Sequence, residues 1–454
     1  MENSELLVDT EALSTRNHRI YDWVMYRIKW IHIDPLYLLV HGPAGSGKSL
    51  LLKAIRNGVR ELFDSEKSCI VAAPTAIGAS LLDAHTIHSL FITWTPSNVG
   101  NFLESAKDNQ MEHMKWMITS KVILIDIINF VGAFILAAID HRLRQITGVA
   151  KPFGGLSVIV FGDFQQLPPV DGPWVFKGLT DGYLQKFRRE CPESPDNLWS
   201  LFKIVEVTEN QRTIGHGIEE FDKKFDRSRE EIVNDYIELC KANPDLTFAI
   251  LAKSRDIVKE LNDAIVEKTE GFREYPPGSP IGRPFPKNGA VTDKYLKVSE
   301  GCPVIMTCNI NFNNFSLKNG TQGVVVNLHD NAIIVNFPSA TFSLKREDWI
   351  YQGARWSQFP IRVAHAHTIE RSQGMEFDGV IVVRNKYWDR EGHPIRVENH
   401  GDEPGELYTA LSRARNLELC YVTPREPSFV VSTENFEETR REIERMREHC
   451  SVQL

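Results

Sequence analysis

A pair of cysteines spaced for metal or redox chemistry is missing from this chain. Its seven cysteines stand at 69, 191, 240, 302, 308, 420 and 450, an odd number with no CxxC among them. Neither a disulfide framework nor a zinc site is supported, and buried thiols in a reducing compartment are expected. No run of about twenty apolar residues exists, so no membrane span is expected. A basic excess is absent too: 52 Lys and Arg stand against 60 Asp and Glu, a formal net charge of −8. Without a global attraction to nucleic acid, any such site has to be a local basic groove in an acidic shell. Residues 1–15 are polar and acidic and lack the character of a signal or transit peptide. The expectation is a soluble intracellular protein, nuclear first for a eukaryotic source, with mitochondrion and cytosol as alternatives. With 42% hydrophobic and 25% charged residues, wholesale disorder is excluded. A length of 454 residues gives room for roughly two to four domains.

What is present begins with His41-Gly-Pro-Ala-Gly-Ser-Gly-Lys-Ser49. Gly42, Gly47, Lys48 and Ser49 fill GxxxxGK[ST], the pattern of a phosphate-binding loop. Tyr37-Leu-Leu-Val40 before it reads as a short buried strand, and Leu50-Leu-Leu-Lys-Ala-Ile55 after it as the start of a helix. In that context the backbone of Gly42, Pro43, Ala44, Gly45, Ser46 and Gly47 would cradle phosphate oxygens at a helix N-terminus. Lys48 would neutralise the β/γ-phosphates and the Ser49 hydroxyl would ligate magnesium. Val122-Ile-Leu-Ile-Asp126 has the form of a buried strand that delivers a carboxylate at its C-terminal tip. There Asp126 would complete the Mg2+ shell with Ser49. ATP and Mg2+ are the expected ligands.

Further strands are expected at 69–73, 156–161, 203–207 and 247–251, and again at 362–367, 377–383 and 419–423. Helices are expected over 13–30 and 216–242. Residues 92–118 lack a clean period and read as a small insertion. Proline and glycine crowd 271–290, a linker, and 303–349 holds short strands with turns at Asn319-Gly320 and 329–331, a small β-barrel. The charged stretch 435–449 is expected to be a solvated helical cap.

Taken together these motifs resemble superfamily 1B DNA helicases of the petite-integration-frequency (PIF) type, with their RecD-like and Dda-like relatives. The string Pro152-Phe-Gly-Gly-Leu-Ser-Val-Ile-Val-Phe-Gly-Asp-Phe-Gln-Gln-Leu-Pro-Pro-Val170 carries most of the resemblance. It is joined, in family order, by Pro74-Thr75 with Thr86-Ile-His-Ser89, Thr208-Glu-Asn-Gln-Arg212, Asn319-Gly-Thr321, Thr368 with Ser372-Gln-Gly374, and Tyr408-Thr-Ala-Leu-Ser-Arg413. The resemblance spans about 13–423. It implies an α/β fold of two RecA-like P-loop NTPase domains, parallel sheets flanked by helices, with ATP in the cleft between them. The domains would be 1–200 for the first, with a wedge at 92–118, and 201–270 plus 355–430 for the second. A linker and SH3-like insertion would occupy 271–354, and a charged helix 431–454. The implied activity is ATP-driven five-prime to three-prime movement along single-stranded DNA or into a forked duplex, by a monomeric core. RNA stays open as an alternative track, because backbone contacts discriminate little without a 2′-OH reader.

Carried over residue by residue, Gln166 would sense the γ-phosphate, and Arg212 and Arg413 would serve as arginine fingers on domain closure. Asn17 stands where the family reads adenine with glutamine, and Gly374 would lie at the nucleotide. Thr75, Thr86, His88, His367 and Thr368 would contact DNA through phosphate and stacking interactions, with Phe91 and Trp94 as either stacking faces or core. The pattern breaks at Ile127, where the family has a glutamate that orients the attacking water. Isoleucine accepts no hydrogen bond, and a positioned base contributes about 10²–10⁴-fold. Nucleotide binding is expected to survive and hydrolysis to be crippled. Asp163 and Glu209 are the alternative carboxylates, and a DNA-bound scaffold that binds ATP without turning it over is the competing reading. Ile128, Glu370-Arg371 and Glu376 are further departures, the glutamates unfavourable to phosphate.

Overall fold

The computed structural model describes residues 10–454, apart from 32, 92–113, 171, 180, 183, 186–196, 209–226, 283–292, 313–314, 352–353, 385–403 and 424–433. Its backbone divides into two units, one of 1–214, 401–412 and 431–454, the other of 215–400 and 413–430.

In the first unit six strands form one parallel sheet. They are β1 (Tyr37–His41), β2 (Cys69–Ala73), β3 (His85–Thr86), β4 (Val122–Ile125), β5 (Ser157–Gly162) and β6 (Lys203–Glu206), in the order β3-β2-β4-β5-β1-β6. Both faces are covered, which is why the strands read as continuous apolar runs and not as alternation. Leu39, Ile123 and Val158 pack on one side with the helix Ala133–Thr147. Leu38, Val40, Leu124 and Ile159 pack on the other with the helices Thr15–Ile28 and Lys48–Leu62. The phosphate loop, Asp126, Asp163 and Thr75 all follow C-terminal strand ends, the edge at which open α/β sheets bind ligands.

Two expected boundaries move. Because β6 pairs with β1, the sheet extends past residue 200. The helix Glu434–Cys450 also belongs to this unit: Ile443 and Met446 are buried in its core, and Val452 N–H donates to Ile204 O at 2.9 Å. The expected solvated cap is a packed element. Of the expected wedge, 92–113 lies outside the described residues, and Lys115–Thr119 is a short 3-10 turn.

In the second unit four parallel strands run in the order Ala366–Thr368, Phe248–Ala252, Gly379–Val383, Cys420–Thr423. The helices Arg229–Ala242 and Arg255–Glu267 pack on them through Ile232, Val233, Tyr236, Ile257, Leu261 and Ile265. A separate antiparallel five-stranded sheet orders Thr341–Leu344, Ile333–Asn336, Gln322–Leu328, Pro303–Met306 and Ile361–Val363. It extends beyond the expected limit at 354. The single strand expected at 362–367 is therefore two strands in two sheets, joined by Ala364 and His365. Among the described residues no helix is long and apolar enough to cross a membrane.

Candidate nucleotide site and nucleic-acid contacts

The phosphate loop takes its shape from glycines that tolerate a left-handed backbone. Gly45 and Gly47 have φ of +81° and +79°, a conformation that costs other residues 1–2 kcal/mol or so. Gly47 caps the helix Lys48–Leu62, so the unpaired N–H groups of its first turn and their partial positive charge face the loop. The Lys48 ammonium donates to Gly42 O and Pro43 O, each at 2.7 Å. Ser49 Oγ lies 3.5 Å from Asp126 Oδ2, and the other carboxylate oxygen accepts from Ile127 N–H at 2.9 Å. A hydroxyl beside a carboxylate is an oxygen donor pair that suits a hard divalent cation such as magnesium.

Around this loop the strand ends are tied together. Gln166 Nε2 donates to Asp163 Oδ2 at 3.4 Å, and Tyr408 Oη donates to the same oxygen at 2.8 Å. Tyr408 Oη also accepts from Ala44 N–H at 3.4 Å, while Thr409 Oγ1 accepts from Leu167 N–H at 2.9 Å. The short helix Glu406–Leu411 is thus built into the phosphate site. Asp163 is 1% exposed and takes a third hydrogen bond from Gln165 N–H, which makes it an anchor of the loop and not a base for water. Glu209 and Arg212 lie outside the described residues.

One turn beyond, Glu206 at the end of β6 is gripped by the Arg447 fork at 2.7 and 2.8 Å, with His41 Nδ1 3.7 Å away. The His41 ring and the Arg447 guanidinium hold the Glu206 carboxyl down at about 2 against the cost of burial; of the two, the fork has the shorter geometry. Neither His41 nor Arg447 was among the residues expected from sequence. No motif marks them, and their pairing becomes visible only once the C-terminal helix is docked.

Ile127 is 7% exposed with φ +57° and ψ +46°. A β-branched residue in that region is strained by roughly 1–3 kcal/mol. Its Cδ1 lies 2.8 Å from where a Cβ on Gly78 would be, so the side chain packs over the first turn of the helix Ala76–Leu81. Ile128, fully buried, covers Gly162 in the same way. At position 127 the structure places packing.

The expected DNA residues divide. His88 is exposed; Thr86 Oγ1 accepts from Ser89 N–H, and Thr75 Oγ1 caps its helix by accepting from Gly78 N–H at 3.0 Å. His367 and Thr368, at 6% and 3% exposed, are corrected to interior residues. Burial drives the His367 imidazole down to about 4, and Thr368 Oγ1 accepts from Arg371 N–H. Phe91 is core, and Trp94 lies outside the described residues. Gly374 has φ +90°, and Arg413 is 6% exposed, its carbonyl accepting from Phe377 N–H. Glu376 faces Arg415 at 3.5 Å, which offsets its charge. Arg371 has charges of both signs around it, Arg362 and Arg255 with Asp293 and Glu370, a grouping that the sequence did not reveal. Burial, with the nearby charges of Arg362 and Arg255, lowers its guanidinium to about 10.

Residues 12–238 match the family model described as PIF1-like helicase. The chain is 26% identical over 419 residues to ATP-dependent DNA helicase PIF1 of Xenopus laevis, covering 86% of this chain and 59% of that one. Against ATP-dependent DNA helicase Pif1 of Bdellovibrio bacteriovorus it is 26% identical over 417 residues, covering 86% and 84%. A Pif1 helicase from Bacteroides, solved in complex with ADP-AlF3 and single-stranded DNA, superposes with a TM-score of 0.65 at 25% identity, covering 93% and 97%. This chain spans a little under three fifths of the length of the frog relative. With strand, loop, carboxylate and sensor motif in family order, and half the chain inside the family model, the chain belongs to the PIF1-like helicases.

Proposed function

We propose that this chain is an ATP-binding DNA motor of the PIF1 type, acting five-prime to three-prime on single-stranded DNA, with hydrolysis slowed by Ile127. The observation that carries this reading is the pairing of an intact binding set with an empty base position. Lys48, Ser49, Asp126 and Gln166 surround one loop, and the residue after Asp126 is a buried isoleucine. Bound magnesium would be held by Ser49 and Asp126 and would supply charge neutralisation at the phosphates. Lys48 would exchange its loop carbonyls for phosphate oxygens, and Gln166, held by Asp163, would present its amide to the terminal phosphate. With isoleucine at 127, that position offers no group to draw a proton from the attacking water.

The frog and bacterial relatives bear the names of ATP-dependent DNA helicases, and the Bacteroides protein was captured with a nucleotide analogue and single-stranded DNA. These support nucleotide and DNA as ligands here. Arg255, Arg362 and Arg371 supply local positive charge in a chain of net charge −8, partly offset by Asp293 and Glu370, and a DNA phosphate would pair with it. The test is steady-state ATP hydrolysis with and without single-stranded DNA, for the natural chain beside Ile127→Glu. The expected result is a DNA-stimulated rate in the variant about 10²-fold or more above the natural chain. Equal stimulated rates would overturn the role given to Ile127. A natural chain with no turnover beside an active variant would favour the second reading, a DNA-bound scaffold, for which the strained and packed Ile127 is the motivating observation. Two silent proteins would move the fault to the DNA-binding or interdomain residues.

A further inference from the structure

Asn17 stands where the family reads adenine, yet its surroundings give it another task. It sits in the first turn of the helix Thr15–Ile28, its N–H donating to the N-cap Ser14 Oγ at 3.3 Å, and it is 1% exposed. Its Nδ2 donates to Ser46 O at 3.0 Å, inside the phosphate loop. A Cβ on Gly47 would lie 2.7 Å from that same nitrogen, so the loop passes over Asn17 at a distance only glycine allows.

The peptide between Ser46 and Gly47 is planar and trans, so its C=O and N–H point in opposite directions. With the carbonyl fixed on Asn17, the Gly47 N–H is turned away from Asn17. That is one of the donors on which a GxxxxGK[ST] loop relies to hold phosphate. A bidentate amide–adenine pair needs both amide atoms, one to donate to N7 and one to accept from the amino group. Here the donor is committed to the loop, and Oδ1, without a partner among the described residues, belongs to a side chain that solvent barely reaches.

We infer that Asn17 positions the phosphate loop and does not read the base, so that this chain selects nucleotides by their triphosphate. This rests on the nucleotide-binding reading above, but not on any hydrolysis. The experiment is calorimetric titration of the full chain, with magnesium, by ATP, GTP and inorganic triphosphate, for the natural protein and for Asn17→Leu, which keeps the shape and donates nothing. ATP and GTP are expected to bind the natural chain within about threefold of each other, where a bidentate adenine pair would separate them by roughly tenfold to a hundredfold. Asn17→Leu is expected to weaken all three ligands by the same factor, about tenfold. A natural preference for ATP above tenfold, or a variant that loses ATP while keeping inorganic triphosphate, would overturn the inference. Should Asn17→Leu fail to show a cooperative melt, the ATP-to-GTP ratio of the natural chain decides by itself. No binding of any of the three ligands to the natural chain would sink the phosphate-site reading itself, and the inference with it.

Discussion

Asp140, fully buried, meets Arg144 Nε at 2.9 and 3.0 Å and also accepts from Phe153 N–H. It fixes the turn that enters β5, where Phe153 has φ +51°. Asp140→Ala leaves the 8%-exposed Arg144 without its counter-charge, and a loss of about 3–5 kcal/mol in urea unfolding is expected. Glu206 gives a second test. Its folded carboxyl lies near 2, below the ordinary carboxylate value, so its contribution is complete above that ordinary value and is lost as pH falls toward 2. Arg447→Ala is expected to raise the acid-unfolding midpoint, read by fluorescence, because the carboxyl then protonates earlier. The spacing of Asp140 and Arg144 was visible in the sequence; their burial was not, since nothing local says which face of an apolar helix carries an ion pair inward. Lys48, Ser49 and Asp126 were legible because phosphate chemistry dictates residue, order and neighbouring elements at once.

The helix Glu434–Cys450 shows how little apolar surface suffices to dock an element. Among its described side chains Ile443 and Met446 are the buried hydrophobic residues, three apart, with Thr439 beside them. Two positions in a segment otherwise dense in Glu and Arg make no readable stripe, so periodicity pointed to solvent. The docking is completed by polar contacts: Trp199 Nε1 donates to Glu442 at 2.9 Å, and Lys177 meets Glu438 at 3.0 Å. Met446→Ala is expected to cost about 2–4 kcal/mol, measured by denaturant titration, where a solvated cap would lose almost nothing. The change of sheet at Ala364 and His365 was hidden for another reason. Ile361 and Val363 before the junction and Ala366 after it keep one strand-like pattern, with no Gly or Pro between them to mark the change of sheet. His365 marks it afterwards, facing Tyr236 Oη at 3.1 Å and Cys302 Sγ at 3.4 Å.

At the scale of the whole molecule, three imidazoles among the described residues make stability respond to mild acid. Burial, chiefly, drives His141, His365 and His367 down to about 4 each. The unfolded chain binds those protons near 6.5, so stability is full above that value, falls as pH drops from about 6.5 to 4, and levels off below. Urea midpoints at pH 7 and pH 5 are expected to differ clearly, and His365→Gln to flatten part of the slope. The two α/β sheets were legible because each strand–helix alternation is local. Which late segments return to the first unit was not, since that depends on contacts hundreds of residues apart. That return has a consequence for how the protein is made. The first sheet and its phosphate loop leave the ribosome early, but the helix that closes their core, Glu434–Cys450, is separated from β6 by the whole second unit. At about 5–20 residues per second, roughly 10–50 s pass between the two. During that interval the nascent chain carries an open hydrophobic seam where Ile443 and Met446 will pack, a recognition target for chaperones.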